Sequence, residues 1–262
     1  MNIKAKKSLG QNFLIDRVVL EEIVSIVDIA DKEILEIGPG SGNLTNYILK
    51  KNPKKTYVVE KDDDLAFLLN EKFENKIKII NNDILKVDED KISNQKLTVF
   101  GNLPYNISTE ILSKWIINIG TNFWFENLIL MFQKEVADRI IANYNNSKYG
   151  RLSILTNWKL NVKKIMDIKP ESFSPRPKID SSLLLFTPKE KIFELKDAKN
   201  LEMITRIFFS QRRKMLKKPF NQIFTNAKEV AKKFNVDLNL RPQNLKPETY
   251  FKLTNEYENL RG

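Results

Sequence analysis

Asn102-Leu103-Pro104-Tyr105 places a side-chain amide, a backbone carbonyl and an aromatic ring on one short turn stiffened by proline. That set suits a particular problem. The exocyclic amine of a nucleobase is a poor nucleophile, because its lone pair is delocalised into the ring. Two acceptors, the Asn102 Oδ1 and the Leu103 carbonyl, can hold its two hydrogens and disperse the charge that develops as it attacks an electrophilic methyl. Tyr105 can stack on the base. The chemistry needs neither histidine nor cysteine, and the 262-residue chain contains none of either. Their absence excludes a Ser-His-Asp triad, a cysteine nucleophile, Cys/His zinc sites and disulfides, and no metal is expected.

A second constellation lies upstream. Glu36-Ile37-Gly38-Pro39-Gly40-Ser41-Gly42 joins a β-rich run to a helical one, where glycines allow a tight turn and close approach of a ligand. Glu60, twenty-two residues after Gly38, ends the next β-rich run, where a carboxylate can accept both hydroxyls of a ribose. Asp83 follows a third such run. The Gly-x-Gly-x-Gly spacing departs from the Gly-x-Gly-x-x-Gly of dinucleotide binders, and no phosphate-loop sequence is present. A nucleoside cofactor without a pyrophosphate fits better: S-adenosylmethionine.

These residues must be positioned by alternating elements. Strands are predicted at Ile34–Ile37, Thr56–Glu60, Ile77–Ile80, Leu97–Phe100, Leu128–Phe132, Leu152–Leu160 and Ser181–Phe186, with helices at Thr45–Lys51, Leu65–Phe73 and Ile107–Ile117. The alternation implies an α/β fold with a mostly parallel sheet covered on both faces, and ligands bind such sheets beyond the strand C-termini. Pro170–Lys178, with three prolines, reads as an extended loop. Beyond Pro188 the pattern becomes helical, at Asn200–Lys218, Asn226–Phe234 and Pro247–Glu258. The expected division is therefore an α/β domain over residues 1–187 and a small all-helical domain over 188–262.

Charge follows that division. Residues 1–187 carry 27 basic and 24 acidic side chains, whereas 188–262 carry 17 and 9. No acid lies between Glu202 and Glu229, a stretch holding Arg212, Arg213, Lys214, Lys217 and Lys218. A concentrated field of one sign suits a polyanion, and these five residues are the expected phosphate contacts of a nucleic acid. No run without a charged residue is longer than Leu97–Thr109, which is too short and broken to span a bilayer, and no signal peptide is read. A cytoplasmic monomer with no membrane partner is expected.

Four stretches carry a resemblance to a known family: Lys7–Leu14 (KSLGQNFL), Glu36–Gly42, Asn102–Thr109 (NLPYNIST) and Phe173–Ser182 (FSPRPKIDSS). They resemble the ribosomal RNA adenine N6,N6-dimethyltransferases, and Phe209–Leu216 (FSQRRKML) is more similar to the small-subunit branch than to the antibiotic-resistance branch acting on large-subunit rRNA. The resemblance implies a Rossmann-like class I methyltransferase core with a helical C-terminal domain. It implies dimethylation of two adjacent adenosines near the 3′ end of small-subunit rRNA, on the immature small ribosomal subunit. It further implies that Asn12, Leu14, Gly38, Gly40, Glu60, Asp83 and Asn102 meet the cofactor, Glu60 at the ribose and Asp83 at the adenine amine. Asn102, Leu103, Pro104 and Tyr105 would face the target base, with Phe173 as a second stacking surface. Gln243 departs from the family pattern, standing where an acid is common. A rival from another class is a ribosome-assembly factor whose main work is binding, carried by the basic tail.

Overall fold

The computed structural model describes Lys6 and residues 10–120 and 122–261. Among these residues nine strands occur: β1 (Phe13–Leu14), β2 (Glu33–Ile37), β3 (Lys55–Glu60), β4 (Lys78–Asn81), β5 (Leu97–Asn102), β6 (Phe125–Gln133), β7 (Leu160–Ile168), β8 (Phe173–Ser174) and β9 (Ser181–Pro188). Seven form one sheet in the order β4-β3-β2-β5-β6-β9-β7. The first five strands of that order are mutually parallel, and β9 runs antiparallel to β6. All five residues of β2 are buried, so both sheet faces are covered there, as a central parallel strand requires. The remaining strands, β1 and β8, pair with each other antiparallel.

The helices of this α/β part are α1 (Arg17–Val24), α2 (Asn43–Lys50), α3 (Asp63–Phe73), α4 (Ser108–Asn118) and α5 (Lys134–Ile140). Leu20, Ile23 and Val24 of α1 share a core cluster with Leu44 and Ile48 of α2 and with Ile34, Phe100 and Ile129 of the sheet. Asp16 caps α1 and Asp62 caps α3 through their side chains, satisfying backbone donors that a helix start leaves open. Strand order reverses between β2 and β5: β3 and β4 lie on one side of β2, β5 and β6 on the other. That switch point, at the C-terminal edge, is where an open α/β sheet leaves a crevice.

Five further helices follow, α6 (Arg151–Lys159), α7 (Ala198–Ser210), α8 (Lys217–Ile223), α9 (Ala227–Lys233) and α10 (Pro247–Asn259). The chain forms two compact units. One comprises Met1–Lys114, Ile119–Ala137 and Lys163–Pro188, and the other Trp115–Asn118, Asp138–Val162 and Lys189–Gly262. The second therefore takes in stretches that the linear reading assigns to residues 1–187. Its centre is aromatic, with the Phe208 ring edge-on to Phe220 at 5.5 Å and to Tyr250 at 5.3 Å.

Three expectations are corrected. Leu152–Leu160 is helix α6, not a strand, and only at Leu160 does β7 begin. Every position of α6 except Arg151 and Asn157 is buried, so the run lacks the polar face that marks a helix by its period. The predicted helix Asn200–Lys218 breaks after Ser210 and restarts at Lys217. Pro219 sits in the first turn of α8, where its missing N–H costs nothing, and the preceding donors turn outward: Leu216 N–H to the Leu240 carbonyl at 2.8 Å and Lys217 N–H to Leu238 at 3.1 Å. Within Pro170–Lys178, Pro170–Ser172 forms a single 3-10 turn with proline at its first position, and β8 follows.

Candidate active site

Parallel register brings the strand ends together. Ile37 is level with Val59 on one side and Gly101 on the other, and Glu60 is level with Asn81. Gly38, Glu60, Asp83 and Asn102 thus emerge at one sheet edge without any long side chain having to reach. All seven expected cofactor residues line a single cavity there, together with Leu103, Pro104 and Tyr105. Of the Lys7–Leu14 motif, residues 7–9 lie outside the described residues.

The glycine loop is held in a left-handed backbone, with φ of 63° at Gly38 and 57° at Gly40. A Cβ at Gly40 would stand 2.7 Å from the Phe13 ring, whereas a Cβ at Gly38 would meet nothing within 4 Å. Glycine at 40 permits ring contact, and at 38 it leaves the loop's inner surface open. The Glu60 carboxylate accepts from the Gly40 N–H at 3.2 Å and from the Asp62 N–H at 2.9 Å. These two bonds fix its plane and leave each oxygen a second lone pair. Burial raises the Glu60 pKa, and the backbone donors partly oppose that. Asp83 accepts from the Leu85 N–H at 3.0 Å and pairs with Lys61 at 2.7 Å, a bond that lowers its pKa.

The reactive turn is tied to the N-terminal segment. The Asn102 Nδ2 donates to the Asn12 carbonyl at 2.8 Å, which commits the amide nitrogen. Its Oδ1 receives no hydrogen bond from the described residues, and neither does the Leu103 carbonyl. Asn102 and Leu103, successive residues that both line the cavity, therefore keep these two acceptors uncommitted among the described residues. The Tyr105 hydroxyl shares a 2.5 Å hydrogen bond with Ser181, which anchors the ring from its far end. Leu14 pairs with Phe173 in the β1–β8 ladder, and the Leu14 carbonyl accepts from Asn43 Nδ2 at 2.8 Å.

Phe173 is corrected. It is 3% exposed, belongs to a core cluster that includes Leu14 and Leu44 of the cavity wall, and does not itself line the cavity. A phenylalanine beside a proline-rich loop reads identically whether it faces a ligand or the core. Here strand pairing turns it inward.

Several residues that matter were missed by sequence reasoning. Glu36 lines the cavity, is 2% exposed and accepts from the Thr45 hydroxyl at 2.6 Å. Burial pushes its pKa up to about 8. A carboxylate inside the apolar run Ile-Leu-Glu-Ile was the signal available. Lys72 reaches the Ser41 carbonyl at 2.8 Å, and Gln11 and Lys6 both bind Asp62. Such long-range partners leave no local pattern.

In the helical unit the basic run divides. Arg213, Lys214, Lys217 and Lys218 are exposed and line one open concavity together with Arg241. Arg212 instead donates to the Ser147 carbonyl and, at 3.4 Å, to Gln243. The departure at Gln243 thus supplies a neutral acceptor where an acid would have made an ion pair.

A mixed sheet of this order with its crevice at the β2/β5 switch point is the class I methyltransferase fold. The chain is similar to a dimethyladenosine transferase from Plasmodium falciparum (26% identity, TM-score 0.77, covering 94% of this chain and 98% of that one). It shares its fold with the 23S rRNA methyltransferase ErmE at 21% identity and a TM-score of 0.68, over 94% of this chain and 100% of that one. The model of the family described as ribosomal RNA adenine dimethylase matches residues 2–259, and the chain belongs to that family. It is 80% identical, over the full length of both, to the ribosomal RNA small subunit methyltransferase A of Pelagibacter ubique (strain HTCC1062). It is 43% identical to the protein of the same name from a Wolbachia strain of Drosophila simulans, over 98% of this chain and 94% of that one. The protein is accordingly a methyltransferase.

Proposed function

We propose that this protein uses S-adenosylmethionine to dimethylate N6 of two adjacent adenosines near the 3′ end of small-subunit rRNA, during maturation of the small ribosomal subunit in the cytoplasm. One observation carries the mechanism: the Asn102 amide is tethered through its nitrogen, so its oxygen is the end offered to the cavity. The cofactor, when bound, supplies an electrophilic methyl. The residues at the sheet edge fit it: a buried, backbone-held carboxylate at Glu60, an open glycine surface at Gly38 and a carboxylate at Asp83. Glu60 would take the ribose hydroxyls and Asp83 the adenine amine, with Asn12, Leu14 and Gly40 completing the wall.

The target adenine enters against Tyr105. In the first transfer Asn102 Oδ1 and the Leu103 carbonyl accept its two amine hydrogens, and in the second one of them accepts the single hydrogen that remains; this orients the nitrogen lone pair and stabilises positive charge as the N–C bond would form, the methyl–sulfur bond break and the neutral thioether leave. The proton of the methylated ammonium is acidic enough to pass to water, so no strong base is required. Pro104 keeps the two acceptors in register, and Phe173 acts beneath them by holding Leu14 in place. In Asn102→Ala, methyl transfer to immature small subunits should fall on the order of 10²–10³-fold, with the protein folded. Undiminished turnover would remove Asn102 from the mechanism.

RNA contact is assigned to the concavity of Arg213, Lys214, Lys217 and Lys218, with Arg212 supporting it. The same concavity favours a second role as an assembly factor, separable by test: folded Asn102→Ala protein should bind subunits as well as the parent does. The large-subunit alternative is disfavoured, because the 80% and 43% identical relatives carry small-subunit names while the large-subunit enzyme shares 21%.

A further inference from the structure

Lys114 lies on α4, outside every motif named above, yet its ammonium is saturated by acceptors from one short segment. It donates to the Ile84 carbonyl at 2.9 Å, the Val87 carbonyl at 2.6 Å and the Glu89 carboxylate at 2.8 Å. Three donors meet three acceptors, with the Lys114 side chain 18% and the Glu89 side chain 7% exposed. The segment it grips contains only single 3-10 turns, Ile84–Lys86 and Glu89–Lys91. Asp83 caps the first of these, and Asp83, Ile84 and Leu85 form one wall of the cavity. The helix that carries Lys114 starts six residues after Asn102.

We propose that Lys114 is a positioning residue for the cofactor's adenine: by pinning Ile84, Val87 and Glu89 to α4, it sets where Asp83 meets the 6-amino group. The proposal rests on the reading of Asp83 given above. A wall without regular structure can hold a hydrogen-bond acceptor at a fixed place only if something rigid holds the wall, and α4 is that support. Lys114 itself touches neither cofactor nor base.

The test is calorimetric titration of the full-length protein with S-adenosylhomocysteine and with its analogue lacking the 6-amino group. In Lys114→Met, affinity for S-adenosylhomocysteine should fall about tenfold, while the desamino analogue binds as it does to the parent. At saturating cofactor, kcat should stay within about twofold, so the loss appears in the KM for S-adenosylmethionine. Glu89→Gln, which keeps the side chain's shape, should give a smaller loss with the same selectivity, and it decides the question if Lys114→Met does not fold. Equal loss for both ligands, or no loss, overturns the proposal. Failure of the parent protein to bind S-adenosylhomocysteine would instead overturn the cofactor reading itself.

Discussion

Glu36 shows how much a single buried group determines. Its carboxyl has an ordinary pKa of 4.5 and is pushed up to about 8 by burial. A raised carboxyl pKa means that the native state keeps a proton the unfolded chain has released. Stability is therefore lost as pH rises from about 4.5 to about 8, the reverse of an ion-paired acid. Glu36→Gln keeps the neutral form throughout, so thermal unfolding across that window should show a shallower decline for the variant, by a few kcal/mol at most. Glu60, also raised by burial, leaves a residual slope of the same sign. An unchanged pH profile would mean that Glu36 is ionised in the folded protein. The same residue marks the limit of reading a site from sequence. Glu60 and Asp83 are legible because each falls at the end of a β-rich run. Glu36 lies inside one, and its role depends on Thr45 and on burial, which no local pattern encodes.

Among the elements, strands and their C-terminal edge are legible because alternation with helices and glycine punctuation survive in the linear order. What fails is where tertiary burial removes the pattern, as in α6, or where a turn is imposed from outside, as between α7 and α8. The second failure has a functional consequence. Read as one helix, Arg212, Arg213 and Lys214 are equivalent cations; in the observed turn they are not. Arg212→Ala removes donors to Ser147 and Gln243 and should lower stability by about 1 kcal/mol, a shift of a few degrees in Tm. Replacing Arg213 and Lys214 with Gln should leave Tm in place. It should make RNA binding less salt-dependent, with the log-log slope shallower by about 0.7 for each single-strand phosphate that is no longer neutralised. If all three behave alike, the division of the basic run is wrong.

Across the whole molecule, charge and chemistry are segregated. Residues 188–262 hold 17 basic against 9 acidic side chains, whereas the cavity is lined by the acids Glu36, Glu60 and Asp83 with Lys61. The two binding events should therefore respond differently to salt. With about six phosphates neutralised, RNA affinity should fall on the order of 10³-fold between roughly 50 and 200 mM salt. Titration with S-adenosylhomocysteine over the same range should change little, since its contacts are short and partly buried.

The bond from Asn102 to the Asn12 carbonyl spans ninety residues, and the strand carrying Phe13 and Leu14 has its partner only at Phe173 and Ser174. Chains are made from the N-terminus. The first part of the site to leave the ribosome is thus the last to find its place, and a nascent chain that has not reached Ser174 has no strand against which to seat Asn12. Activity is in this sense a property acquired only after the chain has passed Ser174 of its 262 residues. Fragments released earlier would carry the glycine loop, both acids and the reactive turn, yet would hold Asn12 only through the contacts of Gln11 with Asp62 and of Leu14 with Asn43, without the strand pairing at Phe173.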